Sequence, residues 1–141
     1  MVRTRATSCV LLTRDIVVIG ASAGGIAAIT TILKGLPRDL VAARDGEIFR
    51  NGEVYVASPD RHLILEASGR MRTTRAPREK RARPAIDPLF RSAALAFGPR
   101  VIGIVLSGRL DHGTAGLRGI KMCGGVTILQ DPLMHLSTQC R

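Results

Sequence analysis

The chain has 141 residues, 45% of them apolar, with 15 glycines and 7 prolines; that is one folded domain, not a disordered tail or two ordinary domains. The formal charge is +10, and the stretch 70–83 concentrates it, with Arg70, Arg72, Arg75, Arg78, Lys80, Arg81 and Arg83 against Glu79 alone. Only Phe49, Tyr55, Phe90 and Phe97 are aromatic, which leaves little for stacking bases, while Cys9, Cys123 and Cys140 lack a C-x-x-C pair and argue against a disulfide framework or a zinc site.

In chain order, residues 1–14 read as a basic N-terminal extension. Ile16 to Ile19 is an apolar run of the kind that forms a buried strand. Gly20 to Gly25 is a turn of small residues, and Ile26, Ile29, Ile32, Leu33 and Leu36 then recur at helical spacing until Pro37. Residues 16–33 are uncharged and of membrane-spanning length, but Gly20, Ser22, Gly24 and Gly25 break them in the middle. Arg14 and Asp15 likewise interrupt any signal-peptide core. No membrane insertion and a cytoplasmic location are therefore expected.

A βαβ unit should next deliver a second buried strand. None is predicted, because Val41-Ala42-Ala43 is too short before the turn Arg44-Asp45-Gly46. Glu47–Phe49 and Glu53–Ala57 flank Arg50-Asn51-Gly52, which predicts an antiparallel hairpin. His62 to Glu66 predicts a strand, Gly69 a turn, and the basic block a further strand at its start. Asp87 is placed as the cap of a helix through Leu89, Phe90, Ala93, Ala94 and Phe97 that ends at Gly98-Pro99. Val101–Leu106 is a second buried strand, and Ala115, Leu117, Ile120 and Met122 mark a helix ended by Gly124-Gly125. Val126–Leu129 is a third buried strand, so the last strand–helix–strand unit implies parallel pairing. The fold class expected is α/β, a mainly parallel sheet in a three-layer Rossmann-like arrangement with an antiparallel hairpin insert.

Gly20-Ala-Ser22-Ala-Gly24 is a G-x-S-x-G turn between strand and helix, where small neighbours let the Ser22 hydroxyl stand clear of the backbone. The first N–H groups of the helix after it point toward the same spot and suit an oxyanion. The plainer reading is a glycine-rich turn with an incidental serine. A phosphate cradle is a further reading, but the third glycine of a Rossmann loop and the Lys-Ser/Thr pair of a P-loop are missing. Nucleic-acid binding rests on charge alone.

Five ordered blocks carry a more specific signal. They are Val-Ile-Gly-Ala-Ser-Ala-Gly-Gly (18–25), Gly-Glu-Val-Tyr-Val-Ala-Ser-Pro-Asp-Arg-His-Leu (52–63), Arg-Pro-Ala-Ile-Asp-Pro-Leu-Phe-Arg-Ser-Ala-Ala (83–94), Val-Leu-Ser-Gly-Arg-Leu-Asp-His-Gly-Thr-Ala-Gly-Leu (105–117) and Gly-Gly-Val-Thr-Ile-Leu-Gln-Asp-Pro (124–132). With them the chain resembles the catalytic domain of the CheB-type chemotaxis protein-glutamate methylesterases. The resemblance places that domain at 15–133, shortened between 40 and 45, with a C-terminal tail at 134–141 that holds His135. It implies hydrolysis of glutamyl methyl esters on the cytoplasmic helices of methylated chemoreceptors, with no cofactor and no metal. The receiver domain that family members often carry is not seen ahead of residue 16.

The family uses a serine, a histidine and an aspartate in that chain order: a hydroxyl to attack, an imidazole to move its proton, and a carboxylate to orient the imidazole. Ser22 matches the nucleophile. The family histidine lies just after the second strand, in the segment missing here, and His112 stands where the family has its aspartate, with Asp111 one residue earlier. Removing a triad histidine costs about 10⁶ in turnover and disabling the aspartate about 10⁴, so weak or absent activity is expected. One rescue is His112 acting on Ser22 with Asp111 or Asp60 orienting it. Asp111 otherwise reads as an N-cap near Gly113, His112 as an exposed loop residue, and His62 as a strand residue without a triad role. The alternative function is a non-catalytic receptor-binding module. A lost central strand would leave unpaired backbone and apolar surface, which favours a homodimer.

Overall fold

A computed structural model describes residues 13–21, 25–36, 40–106 and 112–130. In chain order the elements are β1 (Ile16–Ala21), α1 (Ile26–Lys34), β2 (Leu40–Ala42), β3 (Val54–Val56), β4 (His62–Leu65), β5 (Met71–Thr74), α2 (Ile86–Phe97), β6 (Val101–Leu106), α3 (Thr114–Met122) and β7 (Val126–Leu129). A short 3₁₀ turn, Gly98–Arg100, joins α2 to β6. The strands expected from the apolar runs at 16–19, 101–106 and 126–129 all form, and so do the three helices.

The main sheet has the order β1-β6-β7 and is parallel throughout. β1 and β6 pair from Ile16 against Val101 to Ala21 against Leu106, so both strands finish at the same level. Alternation along β1 sends Ile16 and Val18 to one face, where they meet Phe90, Ala93 and Ala94 of α2, Val101 and Val105 of β6, and Leu117 and Ile120 of α3. Phe90 and Ile120 have no exposed surface. The centre of β6 is Gly103 because α3 comes close: a Cβ there would stand 2.5 Å from Ile120 Cδ1. The α/β class and the mainly parallel pairing agree with expectation. α2 and α3 form the helix layer on this face. On the other face Val17 and Ile128 are about half exposed, 52% and 47%, and α1 has no buried residue to mark a third layer.

The region between α1 and α2 departs from the sequence reading in three ways. A second strand does exist, the three-residue β2, although none of it is buried; it pairs in parallel with β3, outside the main sheet. The Asn51-Gly52 turn forms, with Gly52 at φ 82, but its flanks do not pair with each other. Residues 46–49 instead bond to 69–71: Gly46 and Phe49 donate to Met71 and Gly69 carbonyls, and Met71 donates to Glu47. The antiparallel hairpin is β4–β5, His62 opposite Thr74 to Leu65 opposite Met71, and not the segment 47–57. An Asn-Gly dipeptide fixes a local turn, while the partner of each strand is chosen by burial of Ala43, Leu63 and Met71 in a small second core.

Finally, Asp87 does not cap α2. The cap position is Ala85, without a side-chain bond, and Asp87 lies in the first turn. Its carboxylate serves another helix, described below.

Three surface carboxylates staple chain segments far apart in sequence. Asp15 receives both Nε (2.8 Å) and Nη2 (2.7 Å) of Arg100, which ties the start of β1 to the start of β6. Asp60 receives Arg83, and Asp45 receives the Thr73 amide and Arg72. Hydrogen bonds from Arg100, from Arg83 and from the Thr73 amide respectively hold the three carboxyls below their ordinary value. A carboxylate with a lowered folded-state value binds fewer protons folded than unfolded between the two values. The stabilisation is thus whole above the unfolded value of about 3.9 and fades as pH falls through the folded one. These three carboxylates should therefore add a fall in the urea midpoint below about pH 4.5, with Asp15→Asn removing part of that fall.

Candidate active site

The C-terminal ends of β1 and β6 lie side by side, Ala21 against Leu106, and α3 begins just beyond the 112–113 turn. Ligand sites of open parallel sheets form outside such strand ends. Of the sequence candidates, Ser22 and Asp111 lie outside the described residues; His112 is described and half-buried. The cap position of α3 is Gly113 at φ 88; the reading of Asp111 as an N-cap near it falls outside the described residues.

The floor beneath these strand ends is the first turn of α2, and three successive residues fix it. The Ala85 amide donates to His62 Nδ1 at 3.2 Å. Ile86 is wedged between two glycines: a Cβ on Gly20 would meet its Cγ2 at 2.5 Å, and a Cβ on Gly113 would meet it at 2.9 Å. Gly20, the first glycine of the G-x-S-x-G turn, is thus required by packing. Asp87 is buried, 3% exposed; its Oδ1 accepts from the Gly116 amide at 2.7 Å, and Lys80 Nζ lies 3.5 Å from Oδ2. Gly116 is the third residue of α3, one of the positions whose N–H has no partner within its own helix. Asp87 therefore does for α3 what a side-chain N-cap does, from a different helix, and adds negative charge near the positive end of the α3 dipole.

Replacing Asp87 tests this. Asp87→Asn keeps an acceptor oxygen and should lose little, whereas Asp87→Leu strands a buried N–H and should lower stability by about 2–3 kcal/mol in chemical denaturation.

His62 is 1% exposed. Its Nε2 lies 3.0 Å from the Pro77 carbonyl, which can only accept, so Nε2 carries the proton. Nδ1 faces the Ala85 amide, which can only donate. Both ring nitrogens are therefore occupied by backbone groups in one neutral tautomer, and the imidazole is a structural bracket, as its reading without a triad role expects. Asp60, one proposed orienting carboxylate for His112, is instead taken by Arg83, with Nε 2.9 Å and Nη2 2.8 Å from Oδ1. Both contacts fall on the one oxygen, so Asp60 is already engaged in an ion pair with Arg83.

Sequence reading missed Ile86 and the Asp87–Gly116 bond. Nothing local marks either: the bond spans 29 residues, and an Asp-Pro pair at a helix start reads as capping. Among the described residues, no group of His, Cys, Asp and Glu side chains could hold a metal ion, and no helix is long and apolar enough to cross a membrane.

A parallel sheet whose strands are joined through helices defines an α/β domain. Residues 39–136 match the CheB methylesterase family. A Leptospira interrogans protein named for protein-glutamate methylesterase and protein-glutamine glutaminase activity is 35% identical, over 84% of this chain and 77% of its own length. The chain belongs to the CheB methylesterase family. A protein-glutamate methylesterase/protein-glutamine glutaminase of Anaeromyxobacter dehalogenans is 37% identical over 83% of this chain and 43% of its own length. Among solved structures, the Thermotoga maritima CheB methylesterase catalytic domain superposes with a TM-score of 0.76 at 28% identity, covering 85% of this chain and 81% of that one.

Proposed function

We propose that this chain is a cytoplasmic chemotaxis methylesterase-type domain that acts on glutamyl methyl esters of chemoreceptors through Ser22, and that its turnover is strongly reduced. The domain of this reading is 15–133, shortened between 40 and 45, with residues 1–14 and 134–141 as flanking segments. One observation carries the reduced turnover: no histidine lies between β2 and β3, and the buried His62 has both nitrogens committed to backbone. The alignment with the Leptospira relative supports the shortening. It has 149 positions but takes up only 84% of these 141 residues, so roughly 30 of its positions have no residue here. A serine at its ordinary pKa without a base to accept its proton is a poor nucleophile.

The apolar residues Ile26, Ile32 and Leu36, 63%, 42% and 45% exposed, support a homodimer within the same reading. The deciding assay is methanol release from methylated receptor by the purified chain. The proposal expects a rate far below that of a complete relative. A rate equal to the relative's, abolished by Ser22→Ala, would overturn the reduced turnover; a low residual rate unchanged by Ser22→Ala would overturn the role of Ser22.

A further inference from the structure

We propose that residues 75–83 form a preorganised cationic dock for a glutamate-rich protein segment. A solvated run of charges needs no framework, and this one has a detailed one. Three consecutive carbonyls on the loop are held from beneath: those of Arg75 and Ala76 by Arg83 Nη1 at 3.1 Å each, and that of Pro77 by the buried His62. Arg83 is itself anchored on Asp60, and its side chain is only 18% exposed.

The chain then reverses in a two-residue turn. Glu79 and Ala82 bond to each other's backbones in both directions, at 3.2 and 2.9 Å. The two tip residues, Lys80 and Arg81, have φ 49 and 66. Such a tip is ordinarily Gly or Asn, because a Cβ is disfavoured at positive φ. Here two long cations occupy it.

The nearby acids are committed. Glu79 is paired with Arg91 at 2.6 Å, Asp60 with Arg83 at 2.8 Å, and Asp87 is shared by Gly116 and Lys80. Among the described residues Arg75 and Arg81 make no salt bridge, and Arg78 has only a 3.8 Å contact with the already occupied Asp60. The surface thus presents arginine forks in excess on a fixed backbone, an arrangement that recognises carboxylates. No aromatic side chain lies within 75–83, so stacking against bases has no platform there. Through Lys80 and Asp87 the loop is joined to the start of α3, beside the candidate site. On the methylesterase reading, on which this placement rests, the acidic segment is part of the substrate protein.

The test is fluorescence anisotropy of labelled poly-L-glutamate with the full chain at low and physiological salt, a DNA duplex serving as comparator. Polyglutamate should bind, and more weakly as salt rises. Reversing Arg75, Arg78 and Arg81 to Glu, all exposed and so compatible with folding, should weaken binding by about tenfold or more. Reversing Arg44, Arg118 and Lys121, the same change in net charge, should weaken it less. Arg83→Lys keeps the charge but not the fork and should cost about threefold or more; unchanged affinity at unchanged melting cooperativity would overturn the preorganised frame.

Equal effects from both triple reversals, no binding, or a duplex bound more tightly than polyglutamate through the same arginines would each overturn the dock. Binding does not depend on turnover, so a negative methanol assay leaves this inference standing, and a negative binding result leaves the methylesterase reading standing.

Discussion

Alanine at Gly116 should destabilise the domain by about 3 kcal/mol, while alanine at Gly119, three residues on in the same helix, should stabilise it by about 0.5–1 kcal/mol. Both are interior positions of α3, where alanine is the better helix former. What differs is the neighbourhood. A Cβ on Gly116 would stand 2.4 Å from Phe90 Cβ and 3.2 Å from Asp87 Oδ1, whereas one on Gly119 meets nothing within 4 Å. Phe90 is fully buried and cannot step aside, so α2 and α3 must separate or the Asp87–Gly116 bond must break. Urea midpoints of the two variants at unchanged slope read the difference directly. Two shifts of the same sign would show that α2 and α3 do not meet as described.

The largest effect expected is on turnover. Methanol release by the native chain should lie about 10⁴- to 10⁶-fold below that of a complete relative, the loss associated with a missing base or orienting acid in serine hydrolases. His112→Ala separates the two accounts of whatever rate remains. If His112 takes no proton, the residual rate changes by less than about threefold, since it comes from oxyanion stabilisation and binding alone. If His112 serves Ser22, the same substitution removes nearly all of it. His62→Gln makes a poor activity probe but a good structural control. It should lower the melting temperature, because the Pro77 carbonyl and the Ala85 amide both lose a buried partner.

The sequence by itself determined the elements whose signal is local. The apolar runs 16–19, 101–106 and 126–129 became β1, β6 and β7, and the helical spacing of Phe90, Ala93, Ala94, Leu117 and Ile120 became the buried faces of α2 and α3. Periodicity records which side of an element is buried, so it survives without knowledge of the partner. The family blocks were legible for the same reason, as ordered strings of residues.

Only the tertiary structure decided which segments pair. It joined 46–49 to 69–71 and not to 53–57, gave β2 its three-residue pairing with β3, and left the apolar side of α1 uncovered. It also decided the roles of polar groups: Asp87 to Gly116 across 29 residues, His62 between Pro77 and Ala85, Asp60 to Arg83. A buried hydrogen-bonding group takes whichever partner the packing brings within about 3 Å, and nothing in the residues on either side of it says which that is.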